Sequence, residues 1–104
     1  MQCMHDLNAF QRDMLVVIAG LDDPKGTEIT SELEDYYPEE ITAGRVYPQL
    51  TAMAEKGLIK KGEANSKTNF YRLRKRGVRE LKERRNWEAR YLDPIDELSV
   101  QGAP

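Results

Sequence analysis

Leu7, Phe10, Met14, Val17, Ile18 and Leu21 recur at three- and four-residue steps, which predicts an amphipathic helix over about 6–20. Asp6 is placed to cap its start and Gly20 to stop it. A turn follows at DDPKG, punctuated by Pro24 and Gly26. Ile29, Leu33, Tyr36 and Tyr37 then mark a second helix over about 27–37, with an acidic outer face and Pro38 at its end. A third helix begins at Thr42 as N-cap, turns Val46, Leu50 and Met53 inward, and meets its stop at Gly57. LIKKGEA and NFYRLR read as two short strands joined through Asn65–Thr68. In the second, Tyr71 and Leu73 share one face while Phe70, Arg72 and Arg74 share the other. KRGVRELKERRNWEARYL closes the pattern as a charged helix to about residue 92, stopped by Pro94.

The order helix, helix, helix, strand, strand, helix is mainly α with a small β-hairpin (α+β). It supplies the parts of a winged helix-turn-helix followed by a further helix. Residues 6–74 form the winged domain, 75–93 the final helix, and 94–104 an aperiodic tail expected to be disordered. Strands this few and this close exclude a parallel sheet.

Charge sharpens the picture because the formal net of −2 hides two unlike halves. Residues 1–57 sum to −7, residues 58–92 to +8 and the last twelve to −3, so the hairpin and final helix form a basic face. A polyanion is the usual partner of such a face, although a long helix with a solvated basic surface gives the same count. No apolar run is long enough to span a membrane, and the start has no secretion-signal pattern. Cys3 is the only cysteine, which fits a reducing cytoplasm and excludes an internal disulfide. His5 is the only histidine, at the N-terminal edge, and no Cys/His cluster, calcium loop or phosphate-binding glycine loop is present. We therefore expect neither an enzyme nor a metal or cofactor site.

The stretch TAGRVYPQL, residues 42–50, is helical by pattern yet holds Gly44 and Pro48. These cost about 1 and about 3 kcal/mol in a helix interior. Pro48 directs its ring at the carbonyl four residues back, which belongs to Gly44, so the two are matched. Gly44 also strips bulk from the first turn, where helix amides attract phosphate. Close packing within the chain is the alternative reading of that glycine.

On this pattern the exposed stripe is Arg45, Gln49, Ala52 and Lys56. Arg45 suits guanine and Gln49 adenine, while Thr42 and Tyr47 carry hydroxyls for phosphate. An ordinary solvated face is the plain alternative, and Tyr47 can instead lie partly buried against the second helix. The hairpin adds Lys60, Lys61, Lys67 and Arg72, with Asn65, Ser66, Thr68 and Asn69 near its tip. Edge strands also carry lysine for solubility. Val78, Leu81, Trp87, Tyr91 and Leu92 are the apolar residues of the last helix. They suit a two-fold homodimer contact, or packing across the first helix of the same chain.

TAGRVYPQLTAMAEKGLI resembles the PadR family of winged-helix transcriptional regulators through Thr42, Gly44, Val46, Tyr47, Pro48, Leu50, Gly57, Leu58 and Ile59. FYRLRKRG is similar to that family's Tyr-x-Leu-Thr-x-x-Gly element, departing at Arg74 where threonine is common. The opening segment is similar to short PadR-like regulators of halophilic archaea. The resemblance covers about residues 6–92 and implies a cytoplasmic, homodimeric repressor or activator. Its partner would be double-stranded DNA at a near-palindromic operator. A winged-helix module that binds an acidic protein is the competing expectation.

Overall fold

A computed structural model of the protein describes residues 4–100 except Ser66, with side chains as far as Asp96. A single 3₁₀ turn, Met4–Asp6, leads into α1 (Ala9–Gly20). Then come α2 (Gly26–Tyr36), α3 (Ala43–Glu55), β1 (Ile59–Asn65), β2 (Thr68–Leu73) and α4 (Lys75–Val100).

α1 begins later than the periodicity suggested, and its cap is Asn8, not Asp6. Gln11 N–H donates to Asn8 Oδ1 at 2.8 Å and Asn8 N–H donates to Gln11 Oε1 at 3.1 Å. This reciprocal box satisfies two otherwise unpaired helix amides, and Asp6 is left in the preceding turn. α2 opens with Lys25 N–H donating to Glu28 Oε1 at 2.8 Å. At the end of α3, Gly57 adopts φ +79°, its N–H reaches the Ala54 carbonyl and Leu58 N–H reaches that of Met53. These two bonds are the Schellman pattern, which only a left-handed residue completes without strain.

β1 and β2 pair antiparallel, with Ile59 opposite Leu73 and Lys60 opposite Arg72, and an irregularity falls between Glu63 and Asn65. Lys25 bridges to Phe70, and Tyr71 N–H donates to the Pro24 carbonyl at 2.9 Å. The α1–α2 turn thus acts as a third edge of the sheet, too short for the sequence pattern to show. Gly62 faces Phe70 across the hairpin, and a Cβ there would overlap the Phe70 ring.

The core joins Met14, Leu15 and Ile18 of α1 with Ile29 and Leu33 of α2, and Val46, Leu50 and Met53 of α3. Ile59 and Tyr71 close it from the hairpin. Two positions differ from the apolar pattern. Tyr36 is 80% exposed because α2 turns Ile29, Leu33 and Tyr37 inward instead, and Leu15 is fully buried where Val17 is only half so.

The larger correction concerns the last helix, which continues past Leu92 and through Pro94 to Val100. Proline removes one N–H and crowds the carbonyl four residues back, here that of Arg90. Arg90 and its neighbours to Asp96 are exposed, so water can take the freed carbonyl and the helix need not end. Residues 94–100 are therefore helical and not an irregular tail, while residues 101–104 lie outside the described residues. Among the described residues no helix is long and apolar enough to cross a membrane.

Candidate nucleic-acid interface

α3 has one buried stripe and two flanks, and the structure decides which flank meets α1. Gln49 is half-buried, and its Oε1 accepts from Gln11 Nε2 at 2.7 Å. The Arg45 guanidinium lies 4.1 Å over the Phe10 ring and donates to Glu39 Oε1 at 3.3 Å. Ala52 and Lys56 are half-buried on the same side. Of the stripe expected to face outward, Gln49, Ala52 and Lys56 are therefore half-buried, and Gln49 and Arg45 touch α1. Gln49 is thus held by Gln11, while Arg45 stays exposed between Phe10 and the exposed Glu39. The exposed positions of α3 are Ala43, Gly44, Arg45, Tyr47, Pro48, Thr51 and Glu55.

At the front of α3, Thr42 holds the N-cap position, but its hydroxyl makes no capping bond. Gly44 is exposed, and a Cβ built there would meet only Thr42 Oγ1 at 3.9 Å. Packing within the chain thus gives no reason for glycine at this place. Pro48 sits one turn later inside an unbroken helix. Tyr47 is 39% exposed and lies over Gly26 at the start of α2, where any Cβ would overlap its phenol. Burial first, then the neighbouring Tyr47 phenol, pushes the Tyr71 hydroxyl pKa up.

One chain of contacts fixes where the tip of α3 stands. Tyr37 donates its hydroxyl to Asp13 Oδ2 at 2.6 Å, packs edge-on to Phe10 at 5.7 Å, and Arg45 covers Phe10. Burial, then the Asp13 bond, pushes the Tyr37 pKa up to about 12. Unfolded tyrosine ionises first, so this part of the stability is complete below pH ~10 and drains away as pH climbs towards 12. Tyr37→Phe is expected to cost on the order of 1 kcal/mol at neutral pH and to flatten that alkaline loss. Denaturant melts at a series of pH values read both effects; an equally steep alkaline loss in the variant would refute the assignment.

The hairpin exposes Lys60, Lys61 and Lys67 to solvent, with no ion pair to a described residue. Asn65 Oδ1 accepts from Lys67 N–H at 2.9 Å and shapes the tip beside the half-buried Asn69. Ser66 lies outside the described residues. Arg72 is not free: Asp23 takes its Nε at 2.8 Å and its Nη2 at 2.7 Å. That pair and the Gln11–Gln49 bond join residues 49 and 38 positions apart, so no local pattern signalled either.

On α4, Trp87, Tyr91 and Leu92 are about half exposed, and Trp87 stacks edge-on with Tyr91 at 5.5 Å. Val78 and the half-buried Leu81 line a groove of about 630 Å³ between α1 and α4, with Ala9, Val16 and Ala19 opposite. Packing across α1 of the same chain, one of the two expected roles, is therefore partial.

A basic hairpin behind a helix-turn-helix, with a fourth helix laid across the first, is the winged-helix architecture. Residues 14–83 match the PadR-like transcriptional regulator family, and the chain belongs to that family. Halobacterium RosR ("h. salinarum RosR", grown from NaBr) is 31% identical, with TM-score 0.81 over 92% of this chain and 93% of that one. A complex structure of RosR, hsRosR-S1, reaches TM-score 0.82 at 31% identity over 93% and 92% of the two chains. A PadR-like regulator from Bacillus cereus shares the fold at 22% identity, with TM-score 0.68 over 90% and 93%. No curated protein matches this chain.

Proposed function

We propose that this PadR-like regulator is a homodimer that binds double-stranded DNA sequence-specifically and represses by occluding a promoter. The observation that carries the reading is Gly44. It stands exposed at the tip of α3, where a Cβ would meet only Thr42 Oγ1 at 3.9 Å, in a helix where glycine and proline both cost stability. A missing side chain that no part of the chain needs is accounted for by the close approach of another backbone. Ala43, Gly44, Tyr47, Pro48 and Thr51 then form the edge that enters the groove, with the Thr42 hydroxyl on phosphate. Small and apolar contacts on that edge suit thymine methyl groups. Lys60, Lys61 and Lys67, with Asn65 and Asn69, grip the flanking backbone, and Lys56 sits at the rear of the helix. Arg45 and Gln49 serve by holding α3 at its angle.

The half-exposed Val78, Trp87, Tyr91 and Leu92, with Leu81 in the α1–α4 groove, support a two-fold contact along α4. Two-fold symmetry makes the operator a near-palindrome with half-sites about 34 Å apart. The experiment is a selection from random duplexes with purified protein. A recovered near-palindromic motif is the expected result. Recovery of no motif, with affinity indifferent to salt, would favour a module that contacts an acidic protein instead.

A further inference from the structure

Asp23 sits in the α1–α2 turn at φ +45°, a left-handed conformation that Asp and Asn tolerate better than other side chains with a Cβ. The Lys25–Phe70 bridge and the Tyr71–Pro24 bond carry the sheet register one step further, to Asp23 beside Arg72. Lys60 stands opposite Arg72 on its other side. One row across the sheet therefore reads Asp23, Arg72, Lys60. The Asp23 carboxylate takes two of the five N–H donors of Arg72, through Nε at 2.8 Å and Nη2 at 2.7 Å, and 60% of the arginine side chain remains exposed.

Carboxylate and phosphate present a guanidinium with the same pair of oxygens. Asp23 thus fills the Nε–Nη2 edge, one of the two on which a DNA phosphate would pair. A cation already neutralised by its neighbour displaces no counterion when DNA arrives, so it adds nothing to the salt-dependent, sequence-blind part of binding. Bidentate geometry is what lets an exposed pair of this kind hold at all. We infer that Asp23 withholds Arg72 from the DNA backbone and sets the ratio of specific to non-specific binding by limiting the wing's grip on any duplex. This rests on the DNA-binding reading of the hairpin.

Asn is at home at a left-handed position, so Asp23→Asn removes the charge without asking the turn to move. Anisotropy titrations of the full chain against a random-sequence duplex, over a series of salt concentrations, test the inference. Asp23→Asn should steepen the dependence of log K on log salt by about 0.9 and tighten random-duplex binding. The double variant, which like the parent carries no net charge at this pair, should return to the parent slope. A slope unmoved by Asp23→Asn overturns the inference. So does a double variant that keeps the steeper slope, because simple carboxylate repulsion would then be the cause. A parent chain with no salt-dependent affinity for DNA would instead remove the reading of the hairpin itself.

Discussion

Gly77→Ala is expected to lower stability by about 2 kcal/mol, and the melting temperature by roughly 4–8 °C for each of them. Gly77 is buried in the first turn of α4, where a Cβ would overlap the Leu58 carbonyl oxygen and approach Leu73 Cδ2 to 3.3 Å. A side chain can rotate away from such a clash, but Leu58 C=O cannot. It also accepts Arg74 N–H at 3.0 Å, which fixes it at the root of α4. Alanine gains up to about 1 kcal/mol of helix propensity, and the expected net loss already includes that gain. Gly20→Ala is the control. It has nothing within 4 Å of a new Cβ, and so should hold steady or rise slightly in the same thermal melts. Equal melting temperatures for the parent and Gly77→Ala would show that α4 can lift off Leu58 without loss.

The second large effect belongs to the hairpin. Joint replacement of Lys60, Lys61 and Lys67 by glutamine should reduce the slope of log K against log salt by about 2.7. All three side chains are exposed and clear of the core, so the circular dichroism spectrum and melt should not change. At low salt the affinity for any duplex should fall steeply, and at high salt the difference should narrow. An unchanged slope would remove the hairpin from the interface and leave α3 to carry the binding.

What the residues revealed beforehand divides along physical lines. Gly57, Pro38 and the Val46–Leu50–Met53 stripe are local signals, so helix ends and buried faces could be read directly. A buried stripe has two flanks, however, and periodicity is silent about which of them meets a neighbour. The pattern puts Arg45, Gln49, Ala52 and Lys56 outward on α3, whereas Arg45 is exposed and the other three are half-buried. The contacts that settle it come from Phe10 and Gln11, far away in sequence. The pairing of Asp23 with Arg72 was hidden for the same reason. Pro94 misled in another way: its stop signal is real in a packed helix but weak where every neighbour is solvated. Gly44 was legible as an oddity, and a Cβ there would meet only Thr42 Oγ1 at 3.9 Å, so packing within the chain does not call for glycine.

Leu58 gives α4 and the hairpin a common anchorage, since one carbonyl lies under Gly77 while the next residue begins β1. In a pair of chains joined along α4, the two hairpins would swing as rigid outriggers of the helix crossing. Substitutions that alter that crossing, even at Trp87 or Tyr91, should then change the preferred operator length more than the bases preferred within each half.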